Sequence, residues 1–295
     1  MCRLFGLHAG AQDVNATFWL LDAPVSIAEL SHRNADGYGL ATFDGEGGLD
    51  LVRAPIRAAD DEDFAAAARA MHAAVFLAHV RYADTGEVSD ANTHPFTLDG
   101  RAFAHNGVVS DLDELDRRLG ADRQLVHGET DSERFFALMA VAIRAHQGDV
   151  RAAIIATTAM LARDITLYSL NFLLAEAGHL WAFRYPEHNQ LYLLRRAPGG
   201  PRGNQALDEH SPYGTIRIRA REGSQRPVII VASEPMDEDL GWEELASGEL
   251  LHVGPDLELH REIILDEPPR KPLSLRGRAA DSQAQEQETG TVGRG

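Results

Sequence analysis

The sequence predicts an α+β fold in which two β-sheets and several helices form layers. In the first part of the chain, short apolar strand-like runs alternate with helical segments. After Tyr168 the pattern changes, and strand-like runs follow one another with only turns between them. This order of elements indicates two sheets in a layered α+β arrangement.

The individual elements follow from hydrophobic periodicity, turn residues and helix caps. Apolar and β-branched runs predict strands, and two of these strands flank a Gly-rich hairpin turn. Helices are predicted where acidic residues precede alanine-rich or apolar-faced segments, and Ser110 and Asp111 offer a cap to one of them, which Gly120 closes. Before Tyr168 the predicted strands are 4–8, 39–43, 49–54, 74–82 and 101–107, and the predicted helices are 25–31, 60–73, 112–120, 131–146 and 149–163.

The predicted domain spans residues 2–266. Residues 267–295 are rich in Pro, Gly, Gln and charge, so they bury too little apolar surface to offset the entropy of ordering. We therefore expect a disordered C-terminal tail. A Gly- and Pro-rich stretch at 197–214 predicts a mobile loop inside the domain.

Charge and cysteine content exclude several classes of protein. The formal net charge of −17 disfavours nucleic acid and anionic membranes as partners, because both require a positive surface. No stretch reaches the ~18 apolar residues of a membrane span, and the first residues lack the apolar run of a signal peptide. Cys2 is the only cysteine, which excludes an intrachain disulfide framework and a multi-cysteine zinc site. A cytoplasmic location is expected.

Cys2 follows the initiator methionine directly, and two interpretations of it are open. A free cysteine is most often a small apolar residue in a buried strand. Alternatively, removal of Met1 leaves a free α-amine on Cys2, and the ordinary pKa of an α-amine, about 7.7–8.0, suits a base near neutral pH. Thiol and base then belong to one residue, which is the arrangement of an N-terminal nucleophile.

Three further positions offer what such a nucleophile requires. Asn106 has an amide donor and Gly107 allows a backbone N–H to approach closely, so the pair could form an oxyanion hole, although Asn-Gly is more often a simple turn signal. Arg81, at the end of a predicted strand, could clamp a carboxylate with two hydrogen bonds or lie on the surface. Asp131 lies at the start of a predicted helix, where Thr130 and Glu133 resemble a capping box, and it could receive an ammonium group or serve as a helix cap.

No cofactor, metal or phosphate site is predicted. The sequence contains no GxxxxGK[ST] motif, and "GEGG" lacks the strand–loop–helix context of a phosphate-binding loop. The residues that could contribute to a metal site lack HExxH-type helical spacing. They are His32, His79, His94 and His105, with Asp36 or Asp131.

Taken in order, these motifs resemble the class II glutamine amidotransferases, a family of N-terminal nucleophile hydrolases. The similarity covers about residues 2–265 and excludes the tail. No single motif is decisive, but an N-terminal cysteine followed by these motifs in order is a specific combination. The motifs are "MCR" with "LFG", "HRNADGYGLA", "HVRYADTG", "NTHPF", "AHNGVVSD", "TDSERFF" and a late "SEP…W…G" segment within 232–254.

The resemblance implies a four-layer αββα sandwich with Cys2 at the start of a central strand. It implies that Cys2, assisted by its own amine, attacks a γ-carboxamide carbonyl while Asn106 and Gly107 hold the oxyanion. Arg81 would bind the α-carboxylate of the substrate and Asp131 its α-ammonium group. The γ-glutamyl thioester would then be hydrolysed to glutamate after ammonia leaves.

The resemblance also implies that Tyr82 and His94 line the pocket. One position departs from the family pattern, because similar sequences often carry threonine where this chain has Asp84. If Asp84 faces the pocket, it adds negative charge near the expected α-carboxylate. Thr85, the next residue, is then the candidate to supply the hydroxyl group.

Three functional hypotheses follow. The first is a glutaminase-type amidohydrolase acting on glutamine, which could pass its ammonia to a separate partner protein. The second is a hydrolase of a γ-glutamyl amide on another small metabolite, similar to the γ-glutamyl amidohydrolase of ergothioneine biosynthesis. The third is a non-catalytic binding or regulatory protein of the same fold, which the intact set of motif residues disfavours. Edge strands in the second half of the chain could pair between two copies, so a homo-oligomer is a further candidate.

Overall fold

The computed structural model describes most of the chain, including every predicted site residue except Asp84. Asp84 and most of the predicted 197–214 loop lie outside the described residues. The described residues are 2–83, 85–197, 226–277 and 280, with the backbone of 207–210 and 217–220.

The helices and strands lie close to the predicted positions, and short additional elements occur between them. A π-helical turn spans Phe18–Asp22, and 3-10 turns span Ala58–Asp60, Asp90–Asn92 and Gly120–Leu125. The helices are α1 (Ile27–Leu30), α2 (Glu62–Ala70), α3 (Leu112–Leu119), α4 (Asp131–Ala145) and α5 (Val150–Asp164). The strands are β1 (Arg3–His8), β2 (Val14–Asn15), β3 (Tyr38–Phe43), β4 (Leu49–Ala54), β5 (His72–Ala73), β6 (Val75–Val80), β7 (Phe96–Leu98), β8 (Arg101–Val109), β9 (Leu167–Glu176), β10 (His179–Arg184), β11 (Tyr192–Arg196), β12 (Leu207–His210), β13 (Arg217–Ala220), β14 (Val228–Ala232), β15 (Glu243–Glu244), β16 (Glu249–Val253) and β17 (Leu259–Ile263).

Two large antiparallel sheets form the centre of the molecule. The first has the strand order β15-β11-β14-β1-β6-β3-β4, and the second has the order β17-β16-β10-β9-β8-β7. In the first sheet, β1 pairs with β6 so that Leu4 lies opposite His79, and with β14 on its other side. Cys2 therefore lies at the end of a strand that has a neighbour on each side.

Three apolar clusters show how the layers stack. The cluster between the sheets includes Leu4 and Leu77 from the first sheet and Leu173 and Leu251 from the second. A second cluster packs the outer face of the first sheet against α1, α2 and the π-helical turn. A third packs the outer face of the second sheet against α3, α4 and α5. The described residues thus form the four-layer αββα sandwich that the sequence led us to expect.

One predicted helix cap is confirmed and another is wrong in its mechanism. The Thr130 side chain accepts a hydrogen bond from the Glu133 N–H at 3.2 Å, which caps α4. Asp111, in contrast, has a φ of 59° and its side chain caps no N–H of α3. Its carboxylate instead accepts a hydrogen bond from the Thr166 N–H at 3.1 Å, because the chain entering β9 lies beside it.

The C-terminal segment pairs with the domain beyond the predicted boundary at residue 266. The Arg270 N–H donates to the Ala162 carbonyl at 2.9 Å, and the Leu273 N–H donates to the Leu167 carbonyl at 2.8 Å. These hydrogen bonds use backbone groups, so the polar composition of the segment does not reveal them. The boundary at 266 is therefore too early. The rest of the predicted tail, residues 278–279 and 281–295, lies outside the described residues.

No helix in the described part of the chain is both long enough and apolar enough to cross a membrane.

Candidate active site

Cys2 is half-buried at the start of β1, and its thiol lies against the chain that leaves β6. The Tyr82 N–H donates to the Cys2 Sγ at 3.4 Å, and the Sγ lies 3.6 Å from the Tyr82 carbonyl oxygen. On the other side, Arg3 Nη1 donates to the Cys2 carbonyl at 3.3 Å while Arg3 Nε pairs with Glu234 at 2.5 Å. The position of the thiol is thus defined by two strand ends.

The turn of the "HRNADGYG" motif supports the strand end that carries Arg81 and Tyr82. The Arg81 N–H donates to the Gly37 carbonyl at 2.7 Å, and the Asp36 N–H donates to the Arg81 carbonyl at 3.0 Å. The Asp36 carboxylate accepts a hydrogen bond from the Ala83 N–H at 2.8 Å. Asp36 therefore shapes the backbone beside Cys2.

The Arg81 guanidinium is buried, which contradicts the interpretation of Arg81 as a surface residue. It donates to the carbonyl oxygens of Thr85 at 2.8 Å, Gly86 at 3.4 Å and Glu87 at 3.0 Å. The following loop is thus folded around this guanidinium, and the backbone of Thr85 lies next to it. A cation fixed at this depth can attract a carboxylate more strongly than an exposed one, because water screens it less.

Asn106, on β8, is buried and has an amide donor that no described residue satisfies. Its Nδ2 atom lies in the interior without a hydrogen-bond partner among the described residues. Its backbone carbonyl, by contrast, accepts hydrogen bonds from Ser169 Oγ at 3.3 Å and from Asn189 Nδ2 at 3.2 Å. Leaving a buried donor unpaired costs about 1–3 kcal/mol, so such a donor is expected where a bound group completes it.

Gly107 is required by the packing of β8 against β9. A Cβ atom at this position would lie 2.0 Å from the Ser169 carbonyl oxygen and 2.5 Å from His105 Nε2. Glycine is therefore needed here for a reason that is independent of substrate. From the sequence, we explained Gly107 by the close approach of its N–H to a bound oxygen. The structure adds a second explanation, which is the close contact between β8 and β9.

Asp131 occupies the first turn of α4 and is buried. Its Oδ2 accepts a hydrogen bond from the Val109 N–H at 2.7 Å, and its Oδ1 accepts one from Ser132 Oγ at 3.4 Å. His105 Nδ1 lies 2.9 Å from the same hydroxyl. Burial raises the pKa of Asp131, and the hydrogen bonds from Val109 and Ser132 oppose that rise. The carboxylate thus joins the start of α4 to the end of β8.

His94 is buried against other rings. Its ring centroid lies 4.2 Å from that of His79 and 4.5 Å from that of Phe96, and neither ring nitrogen has a hydrogen-bond partner among the described residues. Burial holds the pKa of His94 well below 6.5, and the nearby His79, His105, Arg81 and Arg53 lower it further. The ring is therefore a neutral packing element, and its contact with substrate stays a prediction.

The buried histidines predict a loss of stability in acid. Burial, then Arg81 and His105, lower the pKa of His79 to about 3, so it and His94 stay neutral in the folded state. In the unfolded chain they take up protons near pH 6.5, so the free energy of unfolding falls as the pH drops below that value. Each contributes a slope of about 1.4 kcal/mol per pH unit. In urea unfolding at several pH values, His94→Phe should reduce the slope, whereas His127→Phe, at an exposed site, should not. An unchanged slope in His94→Phe would contradict this assignment.

The packing of the two sheets places the end of β6 close to β8. β1 and β6 pack against β8 and β9. Because Arg81 and His105 both influence the pKa of His79, the end of β6 lies close to the part of β8 that carries Asn106. Among the described residues, no group of three or more His, Cys, Asp or Glu side chains is arranged to hold a metal ion.

Comparison with known proteins now identifies the family. Residues 1–261 match the family model of the class-II glutamine amidotransferases. The chain therefore belongs to the class-II glutamine amidotransferases, whose members are enzymes.

Some relatives match over most of the chain. An uncharacterized protein of Methanocaldococcus jannaschii is 27% identical over 85% of this chain and 68% of its own length. The protein named "Probable glutamine amidotransferase DUG3" of Saccharomyces cerevisiae is 28% identical over 94% of this chain and 88% of its own. A solved structure of a glutamine aminotransferase class-II domain protein from Silicibacter pomeroyi has a TM-score of 0.56 and 20% identity, and the match covers 90% of this chain and all of that one. The αββα fold is thus shared with this solved structure.

Two residues at the site were not predicted from the sequence. Glu234 pairs with the guanidinium next to the nucleophile candidate, and its only signal was the "SEP" segment that carries it. Asn189 contacts Asn106 from a loop that contains no motif, so no local pattern indicated it.

Proposed function

We propose that this protein hydrolyses the γ-amide of glutamine through a thioester on Cys2. The observation that carries the proposal is the place of the thiol, at the start of a central strand and directly behind Met1. At this position alone, removal of one residue puts a free amine on the residue that bears the thiol. The buried Asn106 amide, which has no partner in the part of the chain that the structure describes, and the family membership support the same chemistry.

In the proposed reaction, the α-amine of Cys2 takes the proton from Sγ, and the thiolate attacks the amide carbon of the substrate. The C=O electron pair moves onto oxygen, and the oxyanion accepts hydrogen bonds from Asn106 Nδ2 and the Gly107 N–H. The protonated α-amine of Cys2 then gives its proton to the nitrogen of the substrate amide, which leaves as ammonia. Water, deprotonated by the same amine, attacks the thioester and releases glutamate and the free thiol.

Two buried charged groups are proposed to recognise the amino-acid part of the substrate. Arg81 would pair with the α-carboxylate, and Asp131 with the α-ammonium group. Burial favours the neutral form of Asp131, whereas a bound ammonium group favours its charged form. The substrate would therefore bind most tightly when its α-ammonium group and the Asp131 carboxylate are both charged. A reducing cytoplasm is the proposed location, because it keeps the thiol available.

Turnover of glutamine tests the proposal against the γ-glutamyl amide alternative. We expect glutamate and ammonia to appear in equal amounts from glutamine. If glutamine is inert while γ-glutamyl amides with larger leaving amines are cleaved, the nucleophile assignment stands and the substrate assignment is wrong. If neither class of substrate is cleaved by the protein lacking Met1, the hydrolytic proposal fails. Glutamate that is released from glutamine faster when a second protein is added, without a matching amount of free ammonia, would favour a separate acceptor partner.

A further inference from the structure

Asn189 lies in the loop between β10 and β11 and touches Asn106 from the interior. It is buried, with a left-handed φ of 56°, a conformation that asparagine tolerates better than most residues. Its Nδ2 donates to the Asn106 carbonyl at 3.2 Å and lies 3.5 Å from the Asn106 Oδ1. Asn189 thus contacts the backbone and the side chain of the oxyanion-hole candidate.

The chemistry of the two amides determines which way each one points. If the Asn189 amide were reversed, its oxygen would lie against two oxygens of Asn106, an arrangement with no donor. The amide nitrogen of Asn189 must therefore face Asn106. Because the Asn106 Oδ1 then lies on the Asn189 side, the Asn106 Nδ2 points away from it, and this is the buried atom without a partner among the described residues.

The loop that carries Asn189 is itself attached to the second sheet. Asn171, opposite Asn106 in the β8–β9 pairing, donates from Nδ2 to the Asn189 carbonyl at 2.5 Å. The Asn171 Oδ1 accepts a hydrogen bond from the Tyr185 N–H at 2.9 Å and lies 3.2 Å from Ser169 Oγ. The contacts of Asn171 with Asn189 and Tyr185 attach the loop to β9, so the position of Asn189 depends on the sheet.

We propose that Asn189 is a positioning residue that orients the Asn106 amide toward the oxyanion of the reaction. The inference rests on the proposed function, since it assigns a task to one part of that site. Asn189 acts through Asn106. Its removal would free the Asn106 amide to rotate and to pair elsewhere, and the oxyanion would lose a prepared donor at the moment when it forms.

The test is to replace Asn189 with glycine, which keeps the left-handed backbone and removes the amide. We expect kcat for glutamine to fall roughly ten- to a hundredfold, with KM changed less than about threefold, because the contact matters only in the transition state. Gln147→Gly, at an exposed position with a φ of 58°, is the matched control for added backbone freedom and should keep full activity. Asn189→Asp retains the shape of the side chain but not its amide donor at neutral pH. Its kcat should therefore fall by a factor similar to that of Asn189→Gly.

A double-mutant cycle separates positioning from a general effect on folding. If Asn189 acts through Asn106, Asn106→Ala with Asn189→Gly should be no slower than Asn106→Ala alone. Binding of the aldehyde analogue of glutamine, which forms a tetrahedral adduct with a thiol, should weaken in Asn189→Gly by the same factor as kcat. Additive losses, or an unchanged kcat in Asn189→Gly, would overturn the inference while leaving the hydrolytic function intact. If Asn106→Ala is fully active, the oxyanion assignment in the proposed function fails first.

Discussion

The Cys2→Ala variant is expected to lose hydrolysis of the γ-amide by at least about a thousandfold, because no other group can form the thioester. Its thermal unfolding should be nearly unchanged, since the substitution removes one sulfur atom from a half-buried position at a strand end. Glutamate release measured under substrate saturation, together with a melting curve of the same sample, checks both parts of this expectation.

A second variant tests the amine separately from the thiol. Insertion of one alanine between Met1 and Cys2 keeps the thiol but moves the free α-amine to the new first residue. We expect this variant to be as inactive as Cys2→Ala, although its thiol can still be alkylated. Intact mass establishes which residue begins each mature chain. Undiminished activity in Cys2→Ala would reject the nucleophile, and undiminished activity in the insertion variant would reject the amine as the base.

For Asp131→Asn we expect KM for glutamine to rise by about a hundredfold, with kcat changed little. The proposed ion pair with the substrate ammonium is present in both the bound substrate and the transition state, so its loss weakens both equally. A charge-assisted hydrogen bond in a buried site supports an effect of about 3 kcal/mol. Steady-state kinetics over a wide range of glutamine concentration measures KM and kcat separately.

The structure determines which substitution is informative at this position. Asp131 also accepts a hydrogen bond from the Val109 N–H, so Asp131→Ala would leave that buried donor unpaired and destabilise the start of α4 by about 1–3 kcal/mol. Asparagine can still accept this hydrogen bond while it removes the charge. Ser132→Ala, which removes the neighbouring hydroxyl, is the control for local packing. A fall in kcat alone in Asp131→Asn would contradict an ammonium-binding role.

The sequence predicted those features that depend on local pattern. The strand after Cys2, the apolar run that becomes β8 and the Thr130 cap of α4 follow from periodicity and cap residues within a few positions. These three elements position Cys2, Asn106 and Asp131, which belong to the candidate site. The layered α+β arrangement followed from the order of the elements, and the four-layer sandwich from the family resemblance.

Contacts between distant parts of the chain could not be predicted in this way. Glu234 reaches Arg3 across 231 residues, and Asn189 reaches Asn106 across 83, so no spacing in the sequence relates the partners. The burial of individual charged side chains could not be predicted either, because the sequence does not distinguish an arginine that is buried by a loop from an arginine on the surface. Arg81 is such a case. The predicted boundary at 266 did not include residues 270–273, because backbone hydrogen bonding does not depend on amino-acid composition.

The pairing of the C-terminal segment also has a consequence for the order of folding. The last carbonyl groups of a helix need partners from outside it, and two of those in α5 find them in the Arg270 N–H and in Lys271 Nζ, which binds the Asp164 carbonyl at 2.6 Å. Lys271 lies 107 residues after Asp164. Such non-local contacts form only after a long loop has closed, and they slow folding relative to local ones. We therefore expect the final turn of α5 to be completed late in folding, when residues 270 and 271 reach it.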